Sequence, residues 1–134
     1  MFSSPSPCCA GGRRARDHGS VNIEIVLLFP LVIAIVLGVV QTGLWVYARN
    51  VCSIAASEGA RTGANLDATA ADAIAAARDL LAGPGGGLVV DAVVTAERGT
   101  TAVTVTCSGN AMTIVPWLEL TIEQSARLPV ERTT

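Results

Sequence analysis

With 134 residues, the chain has room for one small domain and an anchor. Apolar residues make up 51% but aromatics only 4%, so Ala, Val, Leu and Gly carry the hydrophobicity. The net charge is −2 and the nine basic residues, all Arg, form no stripe, so nothing argues for nucleic-acid binding.

Residues 1–19 read as a polar, basic leader in which Pro5, Pro7, Gly11 and Gly12 oppose regular structure. Cys8 and Cys9 lie there without metal-ligand companions. An uncharged run of 23 residues follows, from Ile25 to Tyr47. As a helix it rises about 34 Å, against roughly 30 Å of hydrocarbon core. Trp45 and Tyr47 close it, where amphipathic rings favour the membrane interface.

Arg13, Arg14 and Arg16 precede the run and only Arg49 directly follows it. The positive-inside rule then predicts a single-pass protein of the cell membrane, with a cytoplasmic N-terminus and an extracytoplasmic C-terminal domain. A buried core helix is the plainer reading, but no remaining segment is long enough to cover the run on all sides. A cleaved secretory signal is the competing one, with Val46-Tyr47-Ala48 offering small residues at a cut. The run exceeds the usual apolar length of such signals, about 7–15 residues. A lipoprotein box fails because Val51 precedes Cys52.

Within the run, Pro30 either loosens the first helical turns or is simply tolerated, as proline often is in membrane helices. Gly38 and Thr42, four apart, make a small-xxx-small patch suited to helix contact. The helical pattern spans about residues 20–65, with 20–48 in the membrane and 49–134 forming the extracytoplasmic domain. Ala55, Ala56, Gly59, Ala60 and Gly63 recur at spacings of three and four, giving a thin face that another backbone can approach.

A second helix is predicted over Ala68–Leu81, capped by Asp67 or Thr69, with Ala73, Ile74, Ala77, Leu80 and Leu81 as its apolar stripe. Residues 83–87, GPGGG, end it. The last third reads as strands. Leu88–Ala96 is Val-rich, and Thr101–Cys107 puts Val103, Val105 and Cys107 on one face. Alternation returns from Leu118 to about Val130, with Pro129 marking an edge or an end. Residues 97–100 can turn the chain between the first two. The prediction is an α+β fold: a long N-terminal transmembrane helix continuing beyond the membrane, a second short helix, and a small three-stranded antiparallel sheet.

Cys52 and Cys107 both fall in the domain expected outside, where disulfides persist. They can form a bridge, or Cys107 can serve as a small core residue. The only His lies in the leader, no nucleophile–base set is available beyond the run, and GPGGG lies between a helix and a strand. Neither an enzyme, a metal site nor a cofactor is expected.

The stretch GSVNIEIVLLFPLVIAIVLGVVQTGLWVYARNVCSIAASEGARTGA resembles the TadE-like family of Tad pilus pseudopilins. Gly19, Glu24, Pro30, Gln41, Gly43, Tyr47–Asn50 and Ala55–Arg61 carry the resemblance, in that order. Ile25 departs from it, since Tad pilins often place an aromatic after the Glu. The resemblance implies a pilin-like minor pseudopilin, trimmed by a prepilin peptidase between Gly19 and Ser20. Its implied partners are other Tad pilins or pseudopilins, a membrane assembly platform and the lipid bilayer. Glu24 would then pair with a neighbour's new amine; alternatively it is a helix-start acid favoured by the dipole at the headgroups.

Overall fold

The computed structural model describes residues 17–83 and 85–131, with side chains from Ile23 onward. Cys8, Cys9 and the three leader arginines lie outside the described residues, as does Pro84. By its contacts the chain forms two units, one ending at Val36 and one from Leu37 to Thr134. Helix α1 (Asp17–Ala64) starts three residues ahead of the expected boundary and takes in the Gly19–Ser20 bond. No proline stands between Asp17 and Phe29, and one helical glycine costs only about 1 kcal/mol.

Helix α2 (Ala70–Leu81) is capped by Thr69, one of the two candidates. The Thr69 hydroxyl accepts from the Asp72 amide at 3.2 Å, and the Asp72 carboxylate accepts from the Thr69 amide at 2.7 Å. This reciprocal capping box satisfies two amides that the helix itself cannot. Hydrogen bonds from the Thr69 hydroxyl and then its amide hold the Asp72 carboxyl below the ordinary 3.8. A short 3₁₀ turn, Gly86–Leu88, leads into the sheet.

Strands β1 (Val89–Arg98), β2 (Ala102–Ala111) and β3 (Thr121–Pro129) form an antiparallel meander in the order β1-β2-β3. Val103, Val105 and Cys107 are fully buried on one face, as the alternation of β2 requires. Several boundaries differ from expectation: α2 starts at Ala70 rather than Ala68, and β2 runs on to Ala111 rather than ending at Cys107. Glu97 and Arg98 stay in β1, paired with Thr104 and Val103, and the turn falls at Gly99–Thr101, where the Gly99 amide donates to the Ala102 carbonyl at 2.9 Å. The third strand starts at Thr121, not Leu118. Residues 112–120 form a loop whose base is tied by Met112 N to Leu88 O and Ala111 N to Leu120 O, both 2.9 Å. Pro116 supplies no amide for a ladder.

A β-bulge in β1 sets Asp91 and Ala92 against the single residue Gly109. Asp91 takes a left-handed φ of 54°, which Asp tolerates better than most residues. A Cβ on Gly109 would lie 2.8 Å from Val89 Cγ1 and 3.0 Å from the Val90 carbonyl, so the bulge closes only over glycine.

The core forms where α1 beyond Ala48 meets α2 and the sheet. It gathers Ala48, Cys52, Ala55, Ala56 and Ala60 of α1, Ala73 and Ala77 of α2, and Val94, Val103, Val105, Cys107 and Ile122 of the sheet. The largest fully buried side chains are only Val103, Val105, Cys52 and Cys107. Small residues permit close approach of backbones but bury little apolar area each.

Candidate functional site

The most apolar window of α1, 18 residues long and able to cross a membrane, has no buried residue. Ile23, Ile25 to Phe29, Leu31 to Ile33, Ile35 to Leu37, Val39 and Val40 are all exposed. A contiguous apolar surface of this size is not tolerated in water by a monomer, so the buried-core reading falls away and the helix fits a single-pass membrane anchor. α1 also runs unbroken through Val46-Tyr47-Ala48, and Ala48 is fully buried in the domain core. Cutting there would sever the helix that the core is built on.

In the first unit, Glu24 is exposed in the second turn of α1 and makes no ion pair among the described residues. Pro30 lies inside α1, which continues through it, and has no N–H to give the Val26 carbonyl. Gly19 and Ser20 belong to the first turn of α1.

In the second unit, Gly38 has open space around its Cβ position. The Thr42 hydroxyl donates to the Gly38 carbonyl at 2.8 Å, within the helix. At Gly38 the predicted patch therefore faces open space. Gly59, Ala60 and Gly63 behave differently. A Cβ on Gly59 would stand 2.7 Å from the Ala73 carbonyl and 3.1 Å from Ala77 Cβ. On Gly63 it would stand 2.9 Å from Ala73 Cβ and 3.1 Å from Val103 Cγ2. The backbone that this thin face admits is the chain's own α2, with β2 alongside.

Cys52 on α1 and Cys107 on β2 are joined by a disulfide across a Cα–Cα distance of 5.6 Å. Both residues are also fully buried core members, so the two roles coincide. Arg49, the first charge after the apolar run, lies over the Trp45 ring at 5.7 Å, a cation–π contact at the end of the anchor.

Gln41 is the site residue whose role the sequence did not disclose. It is the one polar residue with a buried side chain among those described, 5% exposed. Its Oε1 accepts from the Ile114 amide at 2.9 Å, and its Nε2 donates to the Met112 carbonyl at 3.4 Å. The loop 112–120 is thereby held against α1. An amide side chain near hydrocarbon is costly unless bonded, so a lone Gln in an apolar run was the available signal, but its partners lie over 70 residues away. Gln41→Ala removes the partner of the Ile114 amide, at a cost of about 0.5–1.5 kcal/mol at so exposed a residue. Amide exchange should therefore accelerate at Ile114 while the β1–β2 ladder stays protected. Unchanged protection at Ile114 would remove the clamp.

Among the described residues no three His, Cys, Asp or Glu gather as metal ligands. Fold and site together define a small α+β protein on a single-pass anchor whose helix continues into its own domain core. The model of the TadE-like protein family matches residues 19–61, which takes in Glu24, Pro30, Gly38, Gln41, Cys52 and Gly59. That family is structural and pilus-associated. No curated protein and no solved structure matches the chain.

Proposed function

We propose that this chain is a TadE-like minor pseudopilin, a membrane-anchored structural subunit for assembly of a Tad-type pilus or related secretion apparatus. The observation that carries the reading is the family match over residues 19–61, falling on one continuous helix that is apolar and exposed at one end and core-forming at the other. Residues 1–19 serve as the cytoplasmic leader, 20–48 as the membrane helix and 49–134 as the extracytoplasmic domain. Other Tad pilins or pseudopilins, the prepilin peptidase and the membrane assembly platform are its partners. The work is done by packing and position; no reaction is assigned to the chain.

Trimming between Gly19 and Ser20 fits the geometry at one point and strains it at another. The bond precedes the exposed apolar run by a few residues, within reach of a peptidase at the cytoplasmic face. It also lies in helical backbone, so the first turn must open for cleavage. Helix ends fray readily, and glycine gives the opened segment conformational freedom. The test is the N-terminal mass of the membrane-extracted protein. It should begin at Ser20, and Gly19→Leu should retain the leader. A start at Arg49 would instead support secretion, and an untrimmed chain a plain single-pass anchored domain.

A further inference from the structure

We propose that the loop 112–120 is a second membrane contact, a foot that rests in the headgroup–acyl boundary of the leaflet from which the domain emerges. The proposal rests on the reading of α1 as a membrane anchor. Its geometric basis is the Gln41 clamp. Gln41 lies inside the apolar run, six residues before its end at Tyr47, which along a helix is about 9 Å. Bonds to the Ile114 amide and the Met112 carbonyl fix the loop at that level of the helix. Elements that lie in a membrane interface sit about 5–10 Å into the boundary. Held by Gln41, the loop falls within that range.

The loop's composition fits the same occupant. From Met112 to Leu118 it reads MTIVPWL and carries no charge; the first charge is Glu119. Met112, Ile114, Trp117 and Leu118 are exposed, Trp117 at 84%. Trp is the side chain most suited to the interface, with an apolar ring and one N–H to give a headgroup. In water this cluster would be an unmatched apolar patch next to the exposed anchor. Gln41 holds the loop beside α1 one helical turn from the exposed Leu37 on the same helix face, and the bilayer that covers the exposed Leu37, Val39 and Val40 of this unit reaches the loop as well. A second copy of the chain would also bury the patch, but nothing in the loop's chemistry selects a protein over the lipid that the anchor already meets.

The experiment uses the full chain reconstituted in vesicles of phosphatidylethanolamine and phosphatidylglycerol, with acyl chains brominated either near the headgroup or at mid-chain. Trp45 and Trp117 are the two tryptophans. The difference between wild-type and Trp117→Phe emission reports Trp117 alone, and Phe at so exposed a position leaves the core untouched. The Trp117 component is expected to be blue-shifted from free tryptophan and quenched more by shallow than by mid-chain bromines. Water-like, unquenched emission from protein that floats with the vesicles would overturn the foot and leave the anchor standing. Blue-shifted but unquenched emission would assign the patch to protein contact, and stronger mid-chain quenching would overturn the interfacial depth. Protein that does not float with vesicles would remove the anchor reading and the foot with it.

Discussion

Replacing Cys52 and Cys107 together with alanine is expected to lower the stability of the domain by about 2–5 kcal/mol, the range usual for loss of a native disulfide from a small domain. The separation of 55 residues sets the upper part of that range. In the chain-entropy picture, cross-linking a loop of that size restricts the unfolded ensemble by about 4 kcal/mol. Folding stabilities of whole domains are about 5–15 kcal/mol, so the bridge is a large fraction of the total. The thin core makes the fraction larger, since no fully buried side chain exceeds valine in size. Urea titration of the detergent-solubilised full chain, followed by a signal from the sheet, measures the shift. Reduced wild-type protein should behave much like the double variant. Thiol labelling under denaturing, non-reducing conditions should find both cysteines blocked. A midpoint unmoved by the substitution would mean that alanine packing alone holds α1 to β2.

Local chemistry in the sequence foretold the elements whose stabilising contacts are themselves local. The uncharged run from Ile25 to Tyr47 announces its helix because it carries no charge and nearly every position except Gln41 and Thr42 is non-polar. A cap was legible at Asp67 or Thr69, and the structure places it at Thr69, whose partner Asp72 is only three residues away. Val103, Val105 and Cys107 announce a buried strand face through period-two alternation. Features that failed to announce themselves depend on distant partners. Leu118 and Leu120 keep a strand-like alternation, yet the ladder begins only at Thr121, because Gln41 and Leu88 claim the backbone just upstream of them. The small-residue face of α1 was legible as a face but not as to its occupant. Ala73, which approaches Gly59 through its carbonyl, comes from the next helix. The bulge at Asp91 and Ala92 has no local cue, since it is defined by what Gly109 lacks on the neighbouring strand.

Glu24→Gln is expected to be trimmed like wild type and yet to co-purify with other pilus subunits far less well, while Glu24→Asp is milder. Glu24 stands exposed in the isolated chain with no ion pair among the described residues. An ionised carboxylate brought against hydrocarbon is costly without a partner. Trimming at Ser20 would create an amine four residues away, one helical turn and about 6 Å along the axis. Between neighbouring subunits such an amine and carboxylate can meet in a low-dielectric surround, where their attraction is far stronger than in water. Magnitude separates this role from the plainer one. A carboxylate that only favours the start of a helix contributes about 0.3–1 kcal/mol, at most a several-fold effect. Removing one partner of a buried ion pair costs about 3–5 kcal/mol, which is two orders of magnitude or more in association. Co-purification of Glu24→Gln with pilus subunits, normalised to trimmed protein in the membrane, should therefore fall at least about a hundredfold. A loss of only a few-fold would return Glu24 to the role of a helix-start acid among the headgroups, and the assembly contact would have to be sought elsewhere on α1.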